Sequence, residues 1–184
     1  MWILLLFLLI YFISFLVILT KNKRLDRGEY WLLILLFTGL LCFRYGQGTD
    51  YSAYEDIFYF VAGGGSFDEV HGEFGWLWLC QLFDVLALDF LWMEAILSFL
   101  EMICLRRFLR KWSTIRCLSL LLFLPSFYFV YYCSALRQAV TIALFLEFGM
   151  DYLINRQWLK YGLVVTVASF FHVAAFVSVA NTCE

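Results

Sequence analysis

The opening stretch, "MWILLLFLLIYFISFLVILT", contains no charged side chain, and it constrains the fold more than any other feature of the chain. A helix needs about 20 mostly apolar residues to cross the hydrocarbon of a bilayer, whereas a helix on a soluble domain keeps a polar face. No basic residue precedes the run, no small-residue cleavage site separates it from "KNKR", and it is too long for a signal-peptide core. It reads as a retained first helix. Comparable runs recur, and they place spans at 2–20, 29–43, 89–105, 117–133, 136–154 and 159–180. A shorter apolar patch at 74–88 includes Gln81 and Asp84, which suits a helix lying at the interface. The expected fold is all-α, a polytopic transmembrane helical bundle of about six spans plus an outer juxtamembrane helix. All of it forms one domain over residues 1–184, with residues 44–88 as outer loop and juxtamembrane helix.

Composition agrees with that reading. Hydrophobic residues make up 64% of the chain and charged ones 15%, against roughly 45–50% and 25% in soluble domains. Nothing points to nucleic acid, because the basic residues sit in short groups between apolar runs. The six cysteines form no CxxC pair and lie mostly in or beside apolar segments, as expected for small buried hydrophobes rather than a zinc site or disulfide framework.

Orientation follows from the positive charges. Lys21, Lys23, Arg24 and Arg27 form one group, Arg106, Arg107, Arg110, Lys111 and Arg116 a second, and Arg156 and Lys160 a third. If 74–88 stays on the outer side, all three groups face the cytoplasm, as the positive-inside rule favours, and the N-terminus is outside. Of the 13 Lys and Arg residues, Arg44 and Arg137 alone then face outward. An arginine at membrane depth is costly, so two on one side are consistent with a shared anion. Pairing of each with a nearby carboxylate is the other reading, and for Arg44 the nearest in sequence is Asp50. Glu94 and Glu101 lie on one helix face and Glu147 on another span, as proton-relay groups or as bundle-facing carboxylates bonded to a neighbouring helix.

Soluble-type nucleophilic catalysis finds no support: there is no GxSxG, no HExxH and no phosphate-cradling GxxxxGK[ST]. The polar residues gather instead in "FRYGQGTDYSAYEDIF", from Phe43 to Phe58, directly after an apolar run.

Four segments, in order, are distinctive. They are Arg44-Tyr45 with Gly48-Thr49-Asp50-Tyr51 and Tyr54; "GEFGWLWL" around Glu73; "LRQAVTIALFLEFGMDYL" with Arg137-Gln138; and "ASFFHVAAF" with His172. Together they resemble the EpsG family of bacterial exopolysaccharide polymerases, relatives of Wzy-type O-antigen polymerases. Phe74-Gly75 stands where that family has Pro-Gly. The resemblance implies an enzyme of exopolysaccharide, capsule or O-antigen biosynthesis, a multi-pass protein of the bacterial inner membrane with its active face outside. The implied substrate is an undecaprenyl-diphosphate-linked oligosaccharide, whose repeat units are joined by glycosyl transfer. The lipid bilayer surrounds the protein, and other polysaccharide-assembly proteins are allowed as partners.

On that resemblance the catalytic residues are Arg137 and Arg44, as forks for the diphosphate, and Asp50 as general base, with Glu73 in reserve. His172, Gln138, Tyr45, Tyr51, Tyr54 and Glu73 would contact substrate, and the scheme requires no cofactor and no metal. The competing readings are a flippase or transporter of lipid-linked sugars, with Pro125 as a sign of a broken span, and an inactive fragment of the polymerase. Family members run to roughly twice this length, so the bundle is expected to be incomplete at its C-terminus.

Overall fold

A computed structural model describes residues 2–20, 22–70 and 73–172. Lys21, His71, Gly72 and everything after His172, including the end of the expected 159–180 span, lie outside the described residues. The all-α expectation holds: among the described residues the chain is helical, with no strand.

The helices are α1 (Trp2–Thr20), α2 (Lys23–Cys42), α3 (Tyr51–Ala62), α4 (Phe74–Val85), α5 (Phe90–Trp112), α6 (Arg116–Phe123), α7 (Leu136–Leu144), α8 (Met150–Ile154) and α9 (Trp158–Ser169). A 3₁₀ turn, Phe67–Glu69, lies between α3 and α4. Two π-helical segments, Leu124–Tyr132 and Phe145–Gly149, continue α6 and α7. The first opens at Pro125, whose missing N–H favours a break in the hydrogen-bond ladder.

Two boundaries differ from expectation for identifiable reasons. α2 starts at Lys23 rather than Glu29, because the Asn22 side chain caps it by accepting from the Arg24 N–H at 3.0 Å. The first basic group therefore lies largely within a helix. The segment read as loop contains α3, whose Tyr51, Tyr54, Phe58 and Val61 recur at helical spacing and are all buried.

Among the described residues no helix is long and apolar enough to cross a membrane. In α2 and α5 charged residues interrupt the apolar sequence, and π-segments divide the helical stretches that follow.

α5 organises the packing. Its first half (Phe90, Met93, Leu97) closes a core with α3 and with Trp76, Leu77, Cys80 and Phe83 of α4. Its second half (Met102, Leu105, Leu109) closes another with α2, α6 and the first π-segment. Large side chains such as Trp76, Phe37 and Tyr128 are almost completely enclosed, and full burial of such a group contributes about 1.5–3 kcal/mol in water. The opposite face of α2 leaves Leu32, Leu35, Leu36 and Leu40 exposed.

Candidate functional site

The turn between α2 and α3 is shaped by glycine. Gly46 and Gly48 both have positive φ, 66° and 118°. At Gly48 a side chain is excluded twice over, because a Cβ there would stand 2.4 Å from the Cys133 carbonyl oxygen. This close approach lays the Gly48–Tyr51 turn against the chain just before α7. A second close approach acts at α4: the Gly75 N–H donates to the Phe170 carbonyl at 2.8 Å, and a Cβ on Gly75 would meet that oxygen at 2.7 Å. The start of α4 is thereby fixed to the chain just past α9.

These contacts gather polar side chains from three distant segments. Glu73, the residue before α4, accepts from an Arg137 terminal nitrogen through one carboxylate oxygen and lies 3.0 Å from His172 Nδ1 through the other. On the far side of the ring, Gln138 Nε2 is 3.1 Å from His172 Nε2. Arg137 stands in the first turn of α7, with its guanidinium 5.3 Å from the centre of the Tyr54 ring. Its Nε is enclosed without an acceptor, so the fork retains donor capacity, and the side chain is 24% exposed. Burial alone would push the Glu73 carboxyl up, but its own backbone N–H, the Arg137 guanidinium and the His172 ring outweigh burial and hold it below its usual 4.5.

The other expected site residues fall elsewhere. Arg44 is buried, donating through Nε to Glu94 Oε1 at 2.5 Å and through a terminal nitrogen to the Tyr132 carbonyl. The two arginines expected to face outward hold different carboxylates, Glu94 and Glu73, and Arg44 does not pair with Asp50. Asp50 is exposed at the start of α3, and its side chain caps nothing. Tyr45 is exposed and meets Tyr51 edge to face at 6.1 Å. Tyr51 is buried against Phe90, its hydroxyl without a partner. Tyr54 is buried against Trp76.

Two roles were not visible in the sequence. Glu73 is the hub of the cluster, and Trp76 backs the Tyr54 ring that faces Arg137, with an indole N–H that has no partner. The tyrosine spacing in α3 was the available signal for these rings. For the hub there was none, since its partners are 64 and 99 residues away.

The arrangement is that of an all-helical protein with an arginine fork, a carboxylate–histidine pair and buried aromatic rings at one end of the bundle, suited to an anionic substrate and proton transfer. The chain belongs to the EpsG family, whose family model matches residues 29–180. That family is associated with polysaccharide polymerisation, and its members are membrane proteins. No curated protein and no solved structure matches the chain.

Proposed function

We propose that this chain is a polysaccharide polymerase of the bacterial inner membrane that joins undecaprenyl-diphosphate-linked repeat units by glycosyl transfer on the outer face. The observation that carries the reading is the convergence of Arg137 and His172 on the Glu73 carboxylate. Membership of the EpsG family supports the reaction class. The membrane setting rests on the uncharged run from Trp2 to Thr20 and on the exposed leucines of α2, which lipid would cover; it does not rest on helix spans.

In this scheme Arg137 binds the diphosphate, its planar fork matching phosphate oxygens. With its proton on Nδ1, donated to Glu73, His172 offers Nε2 as the base, and an incoming sugar hydroxyl replaces Gln138 there. The hydroxyl oxygen attacks the anomeric carbon and its proton passes to Nε2. The bond from anomeric carbon to phosphate oxygen breaks, and the lipid diphosphate leaves with the electron pair. Tyr54, backed by Trp76, walls the cluster beside Arg137, and the exposed Tyr45, braced edge to face by the buried Tyr51, offers its ring to a sugar from the adjoining turn. Asp50 and Arg44 take places different from those first expected: Asp50 at the rim, where a carboxylate can bond a sugar hydroxyl, and Arg44 as the buried support of that turn.

Polymer length on lipid-linked repeat units, measured in membranes containing the protein, tests this. Arg137→Ala is expected to abolish chain growth, while Arg137→Lys keeps a small fraction, because a point charge cannot replace the fork. Unchanged chain lengths in Arg137→Ala would sink the assignment, and translocation of repeat units without growth would give the site to a flippase. Orientation is tested by thiol labelling in a cysteine-free background. Ser66→Cys should react from outside and Gln157→Cys should not; both positions are exposed. The reverse pattern would place the site on the cytoplasmic face.

A further inference from the structure

A cavity lies where the start of α2 meets the end of α5. Its volume is about 550 Å³, within the usual range for ligand sites, and among the described residues Arg27, Arg106, Arg110 and Arg116 line it, with Asp26 as the one carboxylate. On α5 the first lining residue, Arg106, stands 12 residues past Glu94, so at 1.5 Å per residue roughly 18 Å of helix separates the cavity from the Arg44–Glu94 pair.

Like Arg24, Arg156 and Lys160, the arginines here have no carboxylate partner among the described residues; what sets them apart is that they gather around one cavity. Arg44, Arg107, Lys111 and Arg137 each have a carboxylate partner. Among the described residues none of the four around the cavity has one within 4.0 Å, Asp26 included. Arg116 has its Nε enclosed with no acceptor. The Arg106 guanidinium is fixed 4.4 Å over the Trp31 ring, and the Tyr30 hydroxyl donates to the Arg106 carbonyl at 3.3 Å. Both fix Arg106 before any ligand arrives. Guanidiniums merely solvated on a surface need neither an enclosed donor nor a stacked ring. Four of them around one cavity, with a single carboxylate, leave an excess of forked donors matched by phosphate oxygens.

We propose that this cavity is a phosphate-binding site, distinct from the Glu73 cluster, that takes a diphosphate or a phosphate-bearing lipid headgroup. It stands on its own geometry and does not require that the polymerase reading be right.

The test uses the full chain in nanodiscs of phosphatidylcholine, with inorganic diphosphate as the soluble probe, and in discs containing phosphatidylglycerol as the lipid probe. A rise in Tm is the readout, titrated for affinity. Binding of diphosphate in neutral discs assigns the site to a soluble phosphate, and a rise confined to phosphatidylglycerol discs assigns it to a headgroup; either supports the proposal. Arg106→Gln with Arg116→Gln should weaken that binding at least tenfold. Should this double variant fail to fold, Arg27→Gln with Arg110→Gln, at exposed positions on the rim, should weaken it by about threefold or more. Arg156→Gln with Lys160→Gln removes the same charge away from the cavity and should leave affinity within twofold. The proposal is overturned if neither probe raises Tm, if the cavity variants keep full affinity, or if the distant pair weakens binding equally.

Discussion

Glu73→Gln is expected to reduce polymer growth by about 10²–10⁴-fold, the range that a positioned acid–base group contributes. The amide keeps the size of the side chain but removes the charge that orients both Arg137 and His172. Because the three act as one unit, His172→Gln and the double variant should fall to about the same rate as Glu73→Gln alone. Asp50→Asn should stay within about threefold of the parent, since its carboxylate holds no other side chain. If instead Asp50→Asn abolished growth and Glu73→Gln did not, the base would be Asp50, as the sequence alone favoured.

The same carboxylate sets an acid limit. Its pKa in the folded chain is lowered from the usual 4.5. A depressed carboxylate contributes stability that is fully present above the unfolded value and is lost as pH falls through the folded one. Parent and Glu73→Gln should therefore differ in Tm above about pH 4.5 and converge only as pH falls through the lower folded value. A difference that persisted unchanged into acid would mean that the ionised carboxylate is not what holds the cluster.

Arg44→Ala is expected to destabilise the fold by about 3–5 kcal/mol, because it leaves Glu94 as an enclosed charge without a counter-ion. Both side chains are nearly inaccessible, at 4% and 2% exposure. Arg44→Met combined with Glu94→Leu removes both charges and should recover most of the loss. Denaturant unfolding in detergent reads this directly. A double variant as unstable as Arg44→Ala would show that the pair's geometry, and not the uncompensated charge, carries the effect.

The helices were legible where apolar residues run on, as at Leu136–Ile154, which is helical over that whole length. The π-segments within such stretches were not: Pro125 marked the first, and no residue type marked the second at Phe145. α3 was visible in the spacing of Tyr51, Tyr54, Phe58 and Val61, but its charged neighbours Glu55 and Asp56 made the segment read as loop. At the site, the contact that makes glycine obligatory at position 48 is with Cys133, in the turn before α7 and far along the chain. Arg44 illustrates the limit of charge counting. Its nearest carboxylate along the chain is Asp50, but a buried guanidinium is claimed by the carboxylate buried beside it, and Glu94 is 50 residues away. Long-range pairings of this kind leave no local trace, which is why the sequence names the polar residues but not which of them meet.

Because α5 packs one half of its length into each core, it works as a lever with a load at either end. Glu94, near its start, braces the turn that leads to α3, while Arg106 and Arg110, near its end, frame the basic cavity. A rod of ~35 Å rocked by about 5° around its midpoint carries its tips ~1.5 Å in opposite senses. A displacement of about 1 Å is enough to cost a reacting site a hundredfold. A tilt of α5 that moves one end therefore moves the other by the same amount in the opposite sense.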